Sequence, residues 1–411
     1  MSERKMPLSR RRFLAATALG AASAASGSLA MPALLRAQGA GVKLGLLHPV
    51  TGALSYSGQQ GRIGATMAVD EINAAGGIKA LGGAKIEPLL GDAQSTPDGG
   101  TAEVEKMNAA GVPCIVGGYA SSICLAVSQA AARYDLPYVV DVGVADSIVS
   151  RGLKNTFRFG PGFGVISKTA LDNLTIINDQ AGKPAKTVII VHEDSLFGSG
   201  LAKLLNAQLP PKGFTILETI PHPTPMRDFN NVVLKIKAQN PDIVIPANYY
   251  NEYVLFARTM REQHVRPKGI YSVLGGAASS YKFVRQFPEA AKYIMDCNHW
   301  FNPKSAKAQE LKKKVEANGQ FFTYELYMNY SVVLLVADAI ERAASVDRAK
   351  IIAALESSSF SGHVMPYGPT KFVNGQNQGA APLNTQVLDN DIKAILPPEF
   401  AEAKPVFPMP A

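Results

Sequence analysis

Pro113-Cys-Ile-Val-Gly-Gly-Tyr-Ala-Ser-Ser122 is the stretch that decides the fold. Its residues 114–116 form a short apolar run, which is typical of a buried parallel strand. The two glycines that follow end the strand, because glycine adopts backbone angles that other residues avoid. Ser121 and Ser122 are predicted to be N-cap residues. Apolar residues then recur at helical spacing at Ile123, Val127, Ala130 and Tyr134.

A turn of this kind presents unpaired backbone N–H groups and two serine hydroxyls at the start of a helix. Such groups bind a carboxylate or another oxyanion. The same pattern also occurs in an ordinary strand-to-helix turn that a serine caps. The stretch alone leaves both interpretations open, and the choice between them depends on the rest of the chain.

The N-terminus carries an export signal. Ser9-Arg-Arg-Arg-Phe-Leu14 is a twin-arginine signature, and an alanine-rich, weakly apolar run follows at 15–25. This run is too short to span a bilayer, and small residues place the cleavage site after Ala30 or after Ala37. We therefore assign 1–37 as a twin-arginine signal peptide and expect the mature protein to work in the periplasm.

The charge of the chain comes largely from that signal. Six basic residues and one acidic residue lie within 1–37, and they account for +5 of the formal net charge of +8. The remaining +3 is small for the length of the chain and does not indicate nucleic acid as a partner. No further stretch is long and apolar enough to span a membrane.

The motifs of common enzymes are missing from the sequence. It contains no GxGxxG after the first strand, no GxSxG and no P-loop. Its three cysteines form no CxxC pair, and its six histidines form no metal-binding pair. We expect no cofactor, no metal and no catalysis. In His192-Glu-Asp194 the acids are predicted to cap the next helix rather than to react.

Strand and helix patterns alternate along the chain, which predicts an α/β fold with parallel, doubly wound sheets. After a first strand at 42–47, a loop is expected at 49–61 and a helix at 63–74. The pattern starts again after Phe157-Arg-Phe-Gly-Pro161, so a second unit of the same type is predicted. Ligands bind at the carboxyl ends of such strands, and two units therefore imply a cleft between them.

Two segments carry a resemblance to a known family. Val42-Lys-Leu-Gly-Leu-Leu-His-Pro-Val-Thr-Gly52 and Gly64-Ala-Thr-Met-Ala-Val-Asp-Glu-Ile-Asn-Ala-Ala-Gly-Gly-Ile78 resemble the leucine/isoleucine/valine-binding proteins of ABC transporters. The likeness extends through most of 42–345. It implies a Venus-flytrap of two lobes joined by three crossovers, which closes on a small ligand and presents it to a membrane permease. We expect a monomer.

The resemblance also implies where the lobes and the site lie. The first lobe is expected at 42–160 and 298–361, and the second at 161–297 and 362–411. In the family, the turn that corresponds to the one within 113–122 binds the ligand carboxylate. The first loop, the second lobe and the turns after two further strands also face the cleft. The matching residues here are Tyr56, Ser57, Tyr119, Ala120, Ser121, Ser122, Gly143, Val144, Phe197, Tyr249, Leu274 and Gly275.

Two of these positions depart from the amino-acid binders of the family. Those proteins hold the ligand ammonium with a threonine and a carboxylate where this chain has Val144 and Leu274. Because a buried ammonium without acceptors is costly, we expect an aromatic or short organic acid, or an amide or urea. An amino-acid binder and a protein that presents its ligand to a sensor remain as alternatives. Asp141 is expected either to contact a ligand donor or to cap its own helix, and Trp300 to pack at a crossover.

Overall fold

The computed structural model describes residues 41–410, which form two α/β lobes, each built on a seven-stranded sheet. The predicted signal peptide at 1–37 lies outside the described residues. Within those residues no helix has the length and the apolar character needed to cross a membrane. Cys114, Cys124 and Cys297 are all buried and unbridged.

The strands of the described part are, in chain order, β1 (Val42–His48), β2 (Ile86–Asp92), β3 (Ile115–Gly117), β4 (Tyr138–Val140), β5 (Thr156–Arg158), β6 (Thr187–Glu193), β7 (Thr215–His222), β8 (Ile243–Ala247), β9 (Gly269–Val273), β10 (Met295–Asn298), β11 (Phe372–Val373), β12 (Gln376–Asn377), β13 (Leu383–Leu388) and β14 (Asp391–Leu396).

The α-helices of the same part are α1 (Ser55–Ala74), α2 (Pro97–Ala109), α3 (Ser121–Ala132), α4 (Phe163–Gln180), α5 (Leu196–Gln208), α6 (Asn230–Gln239), α7 (Tyr250–Glu262), α8 (Tyr281–Gln286), α9 (Pro288–Ala291), α10 (Ala306–Ala317), α11 (Tyr324–Ala343) and α12 (Arg348–Glu356).

Both sheets are parallel at their centres, as the alternation of strands and helices predicts. The spatial order of the first is β11-β12-β5-β4-β3-β1-β2, and that of the second is β14-β13-β10-β9-β8-β6-β7. Strand β6, inside the second sheet, is buried over nearly its whole length, because helices cover both faces of a doubly wound sheet. The carboxyl ends of the strands in both lobes point towards the space between the lobes, where the candidate site lies.

The chain crosses between the lobes three times. The crossings lie between β5 and α4, between β10 and α11, and between β12 and β13. The last crossing corrects the predicted boundary at 361/362. Strands β11 and β12 belong to the first sheet, where Gln376 pairs with Arg158 of β5. This pairing joins residues more than two hundred positions apart and leaves no periodic signal in the sequence.

Helix α1 begins at Ser55, whereas the sequence predicted a loop up to residue 61. Glycines along this helix, inside and beyond the predicted loop, allow close packing. A Cβ atom at Gly64 would lie 1.9 Å from the backbone oxygen of Leu326, so only glycine lets α11 approach α1 at this point. Helix α11 is buried over most of its length against α1 and the first sheet.

Candidate functional site

A small cavity, with a volume of about 30 Å³, lies between the two lobes, at the carboxyl ends of their strands. Seven of the twelve predicted site residues line it: Tyr119, Ala120, Ser121, Val144, Phe197, Tyr249 and Leu274. Six further residues complete the wall, namely Val142, Asn248, Gly276, Asn298, His299 and Tyr324. Both lobes and the second crossing therefore contribute to one enclosed space.

The other five predicted residues lie outside the cavity wall. Tyr56 is on α1 and packs against Tyr250 of the second lobe, with 4.2 Å between ring centroids. Ser57 is buried on the same helix, and Ser122 is half-buried on α3. Gly143 and Gly275 each lie beside a wall residue in the chain.

In the first lobe, the turn after β3 bends through three successive residues with positive φ. The angles are 116° at Gly117, 108° at Gly118 and 60° at Tyr119. A Cβ at Gly117 would stand 2.1 Å from the backbone oxygen of Leu47, so this position requires glycine. Tyr119 adopts the left-handed conformation at a cost that its surroundings must offset.

A buried polar network supplies that compensation. The backbone N–H of Tyr119 donates to Asp141 Oδ1 at 2.9 Å, and Asn329 Nδ2 donates to Asp141 Oδ2 at 2.9 Å. Asn329 Oδ1 in turn lies 2.9 Å from His48 Nε2. Burial lowers the pKa of His48 to about 4, so its ring is neutral. Asp141 thus holds the turn from behind and is not among the residues that line the cavity, which corrects both roles predicted for it.

Ser121 is the first residue of α3 rather than its N-cap. Ala120 occupies the cap position without a side-chain hydrogen bond, which corrects the predicted capping by Ser121 and Ser122. Ser121 Oγ accepts from the backbone N–H groups of Val144 at 3.3 Å and Ala145 at 3.2 Å. Because these two donors occupy the oxygen lone pairs, the hydroxyl has only its O–H left to donate.

The second lobe contributes an aromatic wall. The rings of Phe197 and Tyr249 lie 5.2 Å apart, and Tyr249 lies 5.8 Å from Tyr119 of the first lobe. Glu193 fixes the helix that carries Phe197, because it accepts from Ser195 N at 2.7 Å, from Ser195 Oγ at 2.8 Å and from Gly198 N. The predicted capping role of this acidic segment is confirmed for Glu193.

The turn after β9 repeats the design of the first-lobe turn. Leu274 has a φ of 58°, and the N–H of the next residue, Gly275, donates to Asp296 Oδ1 at 3.0 Å. Ser279 Oγ and Asn298 Nδ2 also donate to Asp296, at 2.6 and 3.0 Å. Burial raises the pKa of Asp296 to about 6, while these hydrogen bonds oppose the shift. The carboxyl group of Asp296 therefore stabilises the turn, and it does not line the cavity.

Tyr324 is a wall residue that no sequence pattern indicated. Its hydroxyl lies 3.2 Å from that of Tyr119. It stands at the start of α11, which reaches the site only through the second crossing, so no local pattern connects it with the turn at 119. Trp300 of the same crossing is fully buried against Tyr281 and Phe301, in agreement with the predicted packing role.

Two wall residues carry buried polar atoms without a hydrogen-bond partner among the described residues. They are Asn248, through Oδ1, and His299, through both ring nitrogens. Burial lowers the pKa of His299 to about 4, and the nearby carbonyl of Val142 opposes this shift without completing a hydrogen bond. The wall contains no Asp, Glu, Lys or Arg among the residues that the structure describes. The cavity wall is therefore neutral, and the side chains of Asn248 and His299 can each form a further hydrogen bond.

A separate cluster joins the lobes beside the cavity. Lys282 Nζ of the second lobe lies 4.1 Å from the ring centroid of Tyr56, which stacks on Tyr250. Buried oxygens of this region also lack partners within residues 41–410, including those of Ser280 and Glu325. Burial raises the pKa of Glu325 to about 7. No group of three or more His, Cys, Asp or Glu residues that could hold a metal ion occurs in the described range.

Residues 41–391 match a family described as periplasmic binding protein. Leu/Ile/Val-binding protein homolog 8 of Brucella abortus (strain 2308) is 33% identical over 241 residues, which are 58% of this chain and 59% of that relative. The match thus spans little more than half of that protein. Leu/Ile/Val-binding protein homolog 7 of Brucella melitensis biotype 1 is 27% identical over 370 residues, which cover 87% of this chain and 92% of the relative.

Solved structures share the fold. A solute-binding protein of an ABC transporter from R. palustris, in complex with benzoate, gives a TM-score of 0.76 at 18% identity, covering 87% of this chain and 96% of that chain. The branched-chain amino acid transporter substrate-binding protein of Streptococcus pneumoniae, in complex with isoleucine, gives 0.73 at 22% identity and covers 87% and 100%. These likenesses show two α/β lobes of the type I periplasmic-binding kind.

Proposed function

Because this chain belongs to the periplasmic binding protein family, we propose that it is the solute-binding component of an ABC importer with a small carboxylate-bearing or amide ligand. An aromatic or short organic acid is favoured over an ordinary α-amino acid. The ligand binds between the lobes and favours the arrangement in which they touch. The permease then receives the ligand from this closed form. The mechanism is binding and closure, without chemistry.

The observation that carries this proposal is the hydrogen bonding of the Ser121 hydroxyl. Its oxygen already accepts two backbone N–H groups, so its O–H is available to an acceptor in the cavity. The first N–H groups of α3 lie at the same point and add the positive end of the helix dipole. An oxyanion satisfies these donors together, and Tyr119 and Ala120 are the neighbours that shape its seat.

The body of the ligand is proposed to lie against a cluster of aromatic side chains. Phe197 and Tyr249 of the second lobe and Tyr119 of the first form this cluster. An α-amino acid would bring an ammonium group into a wall that carries no acidic side chain among the described residues. Val144 and Leu274 line the wall at the two positions where the resemblance implies an acceptor in amino-acid binders, and both are apolar. A buried cation there would lose its hydration without charge compensation.

Branched-chain or other amino-acid binding is the second candidate, since the S. pneumoniae protein of the same fold is in complex with isoleucine. The benzoate complex of the R. palustris protein supports the first candidate in the same way. A protein that presents its ligand to a sensor would use the same cleft. The proposal also includes export by the twin-arginine route with removal of 1–37, which places the mature protein in the periplasm. We further propose that it is a monomer and that its partner is a membrane permease.

A thermal-shift screen of the mature protein tests the proposal. The sets are aromatic carboxylates, short organic acids, amides and ureas, and branched-chain and aromatic amino acids. A ligand present at about 100 times its dissociation constant adds about 2.7 kcal/mol to the free energy of unfolding, which gives a readable shift. Stabilisation by acids without an amine supports the proposal. A response confined to α-amino acids would favour the second candidate.

A further inference from the structure

We propose that the ligand carries, besides its acid group, a hydroxyl that Asn248 and His299 bind, and that the ligand class is therefore the hydroxylated aromatic acids. This inference rests on the function proposed above and specifies it further. Both residues line the cavity, both are fully buried, and both have a hydrogen-bonding atom without a partner among the described residues.

The orientation of the Asn248 side chain follows from its neighbour. His222 Nδ1 lies 2.9 Å from the carbonyl of Pro223, which only accepts, so Nδ1 carries the proton. His222 Nε2 is therefore an acceptor, and Asn248 Nδ2 donates to it at 2.9 Å. This fixes the amide with Oδ1 as its free atom. Asn248 Oδ1 is thus a buried acceptor that requires a donor.

His299 adds a second acceptor on the crossing between the lobes. Its backbone N–H donates to Asn298 Oδ1 at 2.7 Å, which holds the residue in place. The buried ring is neutral, so one nitrogen carries a proton and the other does not. The unprotonated nitrogen is an acceptor on a residue that lines the cavity, and it has no partner among the described residues. Two neutral acceptors, from separate elements, therefore share one cavity.

The donor that fits these acceptors is a neutral one. An ammonium group would need a carboxylate, and none belongs to the wall within residues 41–410. A hydroxyl donates without carrying charge, and it also accepts from whichever His299 tautomer presents its N–H. The flanking rings of Phe197 and Tyr249 favour a flat aromatic body between the acid and the hydroxyl.

The test compares ligands of equal size by titration calorimetry on the mature protein. The probes are the three hydroxybenzoate isomers, the three methylbenzoate isomers and benzoate. A methyl group replaces the hydroxyl at nearly the same volume but leaves Asn248 Oδ1 buried and unpaired. We expect at least one hydroxybenzoate to bind about tenfold to a hundredfold more tightly than the methyl isomer of the same position.

Substitutions at Asn248 and His299 test whether these two residues cause the preference for a hydroxyl over a methyl group. Asn248→Leu and His299→Phe remove the two acceptors, and each should bring the hydroxyl-to-methyl affinity ratio close to one. Asn318→Leu, at the exposed end of α10, is the matched control and should keep the wild-type ratio. Because Asn248→Leu also leaves His222 unpaired, thermal unfolding of each variant establishes that it is folded before the titration.

The outcomes separate this inference from the proposed function. Equal affinities for every hydroxyl and methyl pair would overturn the inference while acid binding itself stood. A wild-type ratio that survives in both variants would do the same. If no carboxylate, amide or urea stabilises the protein in the thermal-shift screen, the proposed function fails. Binding of α-amino acids alone overturns the inference and leaves the family's binding role in place.

Discussion

The backbone N–H of Tyr119 donates a hydrogen bond of 2.9 Å to Asp141 Oδ1, from the turn after one strand to the residue that follows the neighbouring strand. The second lobe contains the same arrangement, in which Gly275 N donates to Asp296 Oδ1 at 3.0 Å. In each lobe a buried carboxyl group on the adjacent strand holds a left-handed turn that faces the cavity. The geometry of the site therefore depends on groups that do not line it.

Asp141→Asn is expected to destabilise the protein. The amide can offer an acceptor to the Tyr119 N–H or to Asn329 Nδ2, but its own NH2 group then faces the other donor. The expected loss in the free energy of unfolding is about 1–3 kcal/mol, measured by urea unfolding. Asp70→Asn, exposed on α1, is the control. Equal unfolding midpoints for the two variants would contradict the holding role of Asp141.

Ser121→Ala should weaken ligand binding by about 1–3 kcal/mol, because a ligand oxygen loses its donor. It should also lower stability, since the N–H groups of Val144 and Ala145 lose their acceptor. Ser122→Ala, in the same helical turn but outside the wall, is the matched control and should bind normally. Calorimetry and thermal unfolding measure both effects, and identical affinities for the two variants would exclude Ser121 from the site.

Glu325→Gln is expected to change how stability depends on pH. Burial raises the pKa of Glu325 from 4.5 to about 7, so the folded protein holds this proton more tightly than the unfolded chain does. Its contribution is therefore most favourable below pH 4.5, falls as the pH rises to about 7, and stays low above that value. Glutamine remains neutral throughout and should stabilise the protein at pH 8, by on the order of 3 kcal/mol.

Urea unfolding at pH 5 and pH 8 measures the effect of that substitution. The gain of Glu325→Gln over the wild type should be much larger at pH 8 than at pH 5. Glu356→Gln, exposed at the end of α12, serves as the control and should give no such difference. A gain of the same size at both pH values would show that the effect is one of packing and not of charge.

Lys282→Met should lower ligand affinity about twofold to fivefold, because the ammonium group lies over the Tyr56 ring only while the lobes touch. Methionine keeps the length of the side chain and removes its charge. Lys203→Met, exposed on α5 of the same lobe, should bind ligand as the wild type does. Calorimetry gives the affinities. An unchanged affinity in Lys282→Met would mean that this contact does not contribute to closure.

The sequence predicted those parts of the fold whose signal is local. Apolar runs and turn residues located the central strands, and the stretch 113–122 folds as strand, turn and helix. Residues next to strand ends were predicted for the same reason, and several of them line the cavity. The start of α1 was not predicted, since Gly58 and Gly61 indicate a loop until the close packing around them is known.

The features that the sequence did not predict depend on contacts between residues far apart in the chain. Strand β12 returns to the first sheet beside β5, and only the pairing of Gln376 with Arg158 reveals it. Asn248 and His299 reach the wall from separate elements, and in the sequence neither differs from an ordinary buried polar residue. What distinguishes them is the absence of a partner within the described residues, which is a property of the folded protein.

In the turns after β3 and β9, the backbone and the side chains have separate roles. Asp141 secures the main chain at Tyr119, and Asp296 secures it at Gly275, next to Leu274, so the side chains of Tyr119 and Leu274 are not needed to maintain the turns. Exchanging them alters the chemistry of the wall while the scaffold persists. A protein built in this way can be redirected from one ligand to another by a few substitutions, because different atoms determine its selectivity and its architecture.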